Sequence, residues 1–170
     1  GFAVPAFVVI PFDEALANLP KIQNNLDELL GSKPTTGNEL QSTLDKQAAT
    51  ALWNPQALEN FYSEISSKGF GKVSFRTSAA LEDLSGNSFA GQYESFLNID
   101  FDRGSLESYV LKCFASMLTA RVVQYAQAQG IGRFELAGSV VVQTMFFGER
   151  CGVLFSEDGT GSLSISQVEG

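Results

Sequence analysis

The chain has 170 residues, 44% hydrophobic and 18% charged, enough to bury a sizeable core as one soluble domain or two small subdomains. Asp and Glu number 19 against 11 Lys and Arg, and the resulting net charge of -8 leaves no polybasic surface to neutralise a nucleic-acid backbone. A histidine count of 0 excludes serine and cysteine triads, His-ligated zinc and a phosphohistidine on this chain, so chemistry falls to Arg, Lys, carboxylates, hydroxyls and backbone amides.

The two cysteines, Cys113 and Cys151, are far apart with no Cys-x-x-Cys spacing, and read as buried structural thiols. No run approaches the eighteen or so apolar residues of a membrane helix. The apolar stretch Phe2 to Ile10 is broken by Pro5 and has no basic flank, so a cytoplasmic location is expected, with neither membrane nor nucleic acid as a partner. The acidic residues show no metal-ligand spacing, and no metal site is expected within the chain.

In chain order, Phe2 to Ile10 is strand-like from its first residue, and the abrupt start suggests an excised piece. Leu16, Leu19, Ile22, Leu26, Leu29 and Leu30 recur at helical spacing up to Gly31, with Pro20 breaking or kinking the run. A loop over Ser32 to Gly37 precedes a helix suggested by Leu40, Leu44 and Ala48. The next helix has Asn54 as cap, Pro55 in its first turn, an apolar face of Leu58, Phe61, Tyr62 and Ile65, and Gly69 as its stop. The period then changes to two. Lys72 to Arg76 reads as a strand with Val73 and Phe75 facing one way and Ser74 and Arg76 the other.

A polar, small-residue loop over Thr77 to Gly91 leads to a second strand over Gln92 to Ile99. One long helix is expected over Ser105 to Gln129, with Leu106, Val110, Phe114, Met117 and Arg121 in one line and Gly130 as stop. Ser139 to Phe147 and Gly152 to Ser156 read as strands around a Gly148-Glu149-Arg150 turn, and Asp158 to Gly161 turns into a last strand. The expected class is α+β: a strand and helical segment to about residue 70, then a mainly antiparallel sheet over 71–170 packed on the long helix.

Few residues could carry chemistry. Arg76 ends a strand beside Thr77, Ser78 and Ala79, a setting suited to phosphate oxygens, although the local sequence alone favours a strand-end Arg reaching water, Glu82 or Asp83. The loop Leu84 to Gly91 would let backbone amides approach a polyphosphate at Gly91, although its glycine spacing matches neither the Walker nor the dinucleotide pattern; an ordinary surface loop is the alternative. Arg121 falls on the apolar line of its helix, where it either snorkels or meets an anion. Gln143 offers an amide to a heterocycle, with Met145 either packing on that ring or lying in the core.

Taken together, two motifs resemble the amino-terminal nucleotide-binding domain of the pyruvate phosphate dikinase and phosphoenolpyruvate synthase family, a variant of the ATP-grasp fold. Val73-Ser74-Phe75-Arg76-Thr77-Ser78-Ala79 with Glu82-Asp83 is similar to that family's Val-Arg-Ser-Ser-Ala…Glu-Asp motif. Ser88-Phe89-Ala90-Gly91-Gln92-Tyr93-Glu94-Ser95-Phe96-Leu97-Asn98 is similar to its Ser-Phe-Ala-Gly-Gln…Phe-Leu-Asn motif. Cys113 to Tyr125, the strands Val141 to Met145 and Gly152 to Ser156 (a pair that closes on adenine in the family), and Gly1 to Ile10 extend the likeness over nearly the whole chain; Phe12 to Phe70 is its least diagnostic part.

The resemblance implies that Arg76 and Arg121 contact ATP phosphates, that Gly91 with Ser88, Ala90 and Tyr93 covers them, that Gln143 to Phe146, Met145 included, frames the adenine, and that Ser156 stands near the phosphates where the family usually has Thr. The family's Gly-Lys-Gly loop is missing, as are the carboxylates that hold Mg²⁺, which are expected in a second lobe outside residues 1–170. The implied function is half of an ATP site in a phosphotransferase that passes phosphate from ATP, through a histidine on another domain, to pyruvate or a related acceptor such as a drug or a glucan. Alone, the piece is expected to be catalytically silent, with ATP and the remaining domains of its parent as partners. The alternative is a naturally short nucleotide-sensing or protein-interaction module of the same fold.

Overall fold

The computed structural model describes residues 4–31, 37–79, 83–84, 87–88, 93–128, 136–148, 150–155 and 164–169. Strand β1 (Phe7–Pro11) is followed by a single turn α1 (Phe12–Ala15) and by α2 (Leu19–Gly31). Pro20 lies in the first turn of α2, where its missing N–H and fixed φ are tolerated, so the helical run breaks just before it. Helices α3 (Gly37–Ala49) and α4 (Pro55–Ser67) follow. Leu40 and Leu44 are buried from α3, Leu58 and Ile65 from α4. Asn54 caps α4 by accepting from the N–H groups of Gln56 and Ala57, and Gly69 takes the left-handed φ of 70° that ends it.

Strand β2 (Lys72–Ala79) runs three residues beyond the expected Arg76. The short hairpin β3 (Asp83–Leu84) and β4 (Asn87–Ser88) lies within the span expected to be loop, and β5 (Ser95–Asp100) returns to pair with β2. The expected helix over Ser105 to Gln129 is two helices, α5 (Arg103–Met117) and α6 (Ala120–Ala128). The break has a physical cause. Leu118, 1% exposed, leaves helical geometry with φ -97° and ψ 50°, and its N–H reaches Ala115 O. Thr119 then starts α6, its Oγ1 accepting from Val122 N–H and its carbonyl from Val123 N–H. The side chain of Gln41 on α3 accepts from Ala120 N–H, another of the first orphan donors of α6.

Strands β6 (Gly138–Thr144), β7 (Arg150–Phe155) and β8 (Ser164–Glu169) complete the chain. The main sheet has the order β1-β6-β2-β5 and is antiparallel throughout. This corrects the expected pairing around the Gly148-Glu149-Arg150 turn. Both edges of β6 are taken by β1 and β2, so β7 pairs with β8 in a separate two-stranded sheet. The fold is α+β. Val8, Ile10, Val73, Phe75, Val140 and Val142 turn one face of the main sheet onto the helices, and Leu106, Val110, Cys113, Phe114 and Met117 of α5 are 0% exposed against it. Burial pushes the Cys113 thiol up to about 11, as a structural thiol requires, whereas the side chain of Cys151 is outside the described residues.

Strands β6 and β2 approach closely at Gly138. A Cβ there would lie 2.9 Å from Ser78 O, 3.2 Å from Ala79 Cα and 3.4 Å from Phe12 Cε2. Two of the three atoms are backbone of the paired strand and cannot swing away. Gly138→Ala is therefore expected to destabilise the protein by about 1–2 kcal/mol, read as a lower urea midpoint at unchanged slope.

Candidate functional site

Residues directly opposite in an antiparallel pair share a face, so the register defines the side of the main sheet turned away from the helices. One row across it runs Val9, Val141, Arg76, Ser95; the next runs Phe7, Gln143, Ser74. Arg76 is exposed, and among the described residues it has no carboxylate partner. Glu82 and the side chain of Asp83 lie outside the described residues. Beside Arg76 the face is apolar: Phe7 is 50% and Val9 42% exposed, with Val141 half-buried between Val9 and Arg76.

Gln143 is held in place by its own side chain, whose Nε2 donates to Pro5 O at 3.4 Å. Its Cα is a diagonal neighbour of Arg76 on the adjacent strand, a separation of about 7–8 Å in such pairs. Past the end of β6, Met145 N–H donates to Lys72 O at 2.8 Å, which keeps the half-buried Met145 at the end of the same sheet. Phe146 and Phe147 follow, 77% and 69% exposed.

The structure thus brings Arg76, Gln143 and Met145 to one sheet. Arg121 is placed differently. The break at Leu118 takes it off the buried line of α5, and it is exposed on α6, in the helical layer that covers the opposite face. Tyr93 is half-buried and packs against the core. Ala90, Gly91 and Ser156 lie outside the described residues, as does the side chain of Ser88.

Sequence reasoning passed over Phe7, Val9 and Val141 as site residues, although a signal was present. Phe7-Val8-Val9-Ile10 and Val140-Val141-Val142 are apolar without alternation, the pattern of strands covered on both faces. Helices cover one face of these strands, so something apolar is wanted on the other. A cation and an amide bordering an apolar strip suit a ligand that has a flat apolar ring at one end and anionic oxygens at the other.

The family model described as the pyruvate phosphate dikinase AMP/ATP-binding domain matches residues 13–168. The chain belongs to this family. A probable phosphoenolpyruvate synthase of Staphylothermus marinus is 31% identical over 99% of the chain and 21% of its own length. The probable phosphoenolpyruvate synthase of Methanocaldococcus jannaschii is 42% identical over 84 residues, 49% of the chain and 7% of the relative. A rifampicin phosphotransferase of Streptomyces sviceus is 28% identical over 99% of the chain and 20% of its own length.

The chain therefore spans about a fifth or less of the curated relatives it matches. Membership of the dikinase AMP/ATP-binding family supports ATP as ligand. Among the described residues, no helix is long and apolar enough to cross a membrane, and no cluster of three or more His, Cys, Asp or Glu could hold a metal ion.

Proposed function

We propose that the outer face of the four-stranded sheet is one wall of an ATP site, serving a phosphotransferase that relays phosphate through a histidine on another domain to pyruvate or a related acceptor. One observation carries this reading: the register sets Arg76 and Gln143 on the same face of adjacent strands, beside the apolar strip of Phe7, Val9 and Val141. Arg76 presents a planar fork of N–H donors to phosphate oxygens, a match that is bidentate and charge-assisted. Gln143, anchored by Pro5, offers its carboxamide to the edge of the base, and Met145 and Phe7 supply a soft apolar surface for the ring.

Bound ATP supplies the phosphoryl group. The contribution of these residues is position and electrostatics, since phosphoryl transfer asks little covalent chemistry of the protein. The accompanying Mg²⁺ needs carboxylates beyond those described, and the relay needs a histidine this chain does not contain. Choice of acceptor lies with other domains: relatives named for two different activities match 99% of this one.

The test is phosphotransfer from labelled ATP. The full-length protein is expected to bind ATP and form an acid-labile phosphohistidine, while residues 1–170 alone transfer nothing. Transfer by residues 1–170 alone, or a full-length protein that ignores ATP, would overturn the proposal.

A further inference from the structure

The main sheet ends in two edge strands, β1 and β5, and they are built differently. On β5 the register shifts opposite Val73 and Phe75, with Asn98 in the bulge at φ 60°, so its outer edge is kinked and offers no straight template to another strand. Strand β1 is regular. Five consecutive pairs, from Phe7–Gln143 to Pro11–Ser139, join it to β6 without a shift, and no charged residue occurs from Val4 to Pro11 to repel a strand laid alongside.

Two backbone bonds fix which groups β1 leaves open. Thr144 N–H donates to Ala6 O at 3.0 Å, and Met145 N–H donates to Lys72 O at 2.8 Å. Because bonding groups alternate along an antiparallel ladder, Ala6, Val8 and Ile10 face β6, whereas Phe7 and Val9 turn their N–H and C=O groups outward. Among the described residues, no backbone bond reaches those groups. Pro5 and Pro11 fall in the same outward phase and have no N–H to offer, so the open edge is bracketed at both ends.

We infer that this edge pairs antiparallel with the same edge of a second copy of the protein. A two-fold axis at Val8 sets Phe7 against Val9 of the second copy, and Val9 against its Phe7, as hydrogen-bonded pairs. Every open group of Phe7 and Val9 is then satisfied, by four bonds in all. Pro5 and Pro11 each stand three residues from Val8, so the same axis sets proline against proline and strands no N–H at either end. Phe7 and Val9, 50% and 42% exposed, also become cross-strand neighbours, an aromatic and β-branched pair formed twice. The pairing takes backbone groups at the edge and leaves the outer face of β1 open, so it stands apart from the ATP site proposed above. The contact is small, and the dimer it makes is reversible.

The experiment is disulfide trapping in the full-length protein. Val8 lies directly across the axis from Val8 of the second copy in a non-hydrogen-bonded pair, with Cα atoms about 4.5 Å apart, within reach of a disulfide. Under mild oxidant, Val8→Cys is expected to give a reducible covalent dimer faster than Leu52→Cys, although Val8 is 5% and Leu52 62% exposed. Adding Val9→Pro removes two of the four bonds while sparing the ladder to β6, and should slow trapping about tenfold. Trapping no faster than in Leu52→Cys, or indifferent to Val9→Pro, would overturn the inference. Should Val8→Cys fail to fold, hydrogen exchange of the unaltered protein decides: the Phe7 and Val9 amides should gain protection as protein concentration rises, while those of Val8 and Ile10, held by β6, should not. Free exchange of Phe7 and Val9 at every concentration would overturn it. Protection that ignores concentration would give the edge to a strand from elsewhere in the parent chain, and would overturn it equally.

Discussion

Arg76→Ala in the full-length protein is expected to weaken ATP binding by about 1.5–3 kcal/mol, roughly 10- to 150-fold, with the fold intact. Fold and affinity separate here because the side chain is exposed and, among the described residues, makes no ion pair whose loss could disturb the sheet. Its backbone stays bonded between β6 and β5 whatever the side chain. Arg76→Lys should recover only part of the loss, since an ammonium keeps the charge and gives up the two-pronged geometry. The effect should shrink as salt rises, a signature of charge at an open face. Calorimetric titration with ATP, beside thermal unfolding of the same variant, checks both halves; an unchanged dissociation constant would remove Arg76 from the site.

The largest effect on stability is expected from Phe114→Ala, at about 3–5 kcal/mol. Phe114 is 0% exposed, and its ring meets that of Phe12 edge to face, centroids 5.2 Å apart with an interplanar angle of 66°. Phe12 in turn lies against the close approach at Gly138. One aromatic contact thus ties α5 to α1 and, through it, to β6. Truncation removes burial and the ring pair together. Urea unfolding followed by the fluorescence of Trp53, the one tryptophan, should show the midpoint fall; a loss below about 1 kcal/mol would mean that the layer repacks freely.

What the sequence made legible divides along physical lines. Helix α4 could be read because Asn54, Pro55 and Gly69 act on their own neighbours within a turn of chain. The break between α5 and α6 could not, because Leu118 and Thr119 carry no Gly or Pro signal and the deviation is driven by burial of Leu118 in a core built by distant segments. The β6–β7 turn was misread for a related reason. Gly148-Glu149-Arg150 has turn chemistry, but β6 was already flanked by strands from far earlier in the chain.

At the site, the alternation around Arg76 gave its face correctly, and the motif likeness is what suggests its chemistry. The buried line expected to include Arg121 stops at Met117, because the helical spacing was extrapolated across the break. The Phe-Leu-Asn motif hid a backbone role: Asn98 sits at φ 60°, a conformation Asn accepts more readily than most residues, so part of what looked like a ligand motif builds the bulge of β5.

The order β1-β6-β2-β5 also bears on how the protein is made. Strand β1 leaves the ribosome well before its partners on β6, which lie 128 to 136 residues later in the chain. At synthesis rates of about 5–20 residues per second, the apolar run Phe7-Val8-Val9-Ile10 waits on the order of ten seconds before its hydrogen-bonding edge can be satisfied. For that interval the nascent chain carries a bare, β-prone segment, the kind of surface that recruits chaperones or other nascent chains. Heterologous yield should therefore respond to translation speed and to holdase supply as much as to the stability of the finished sheet.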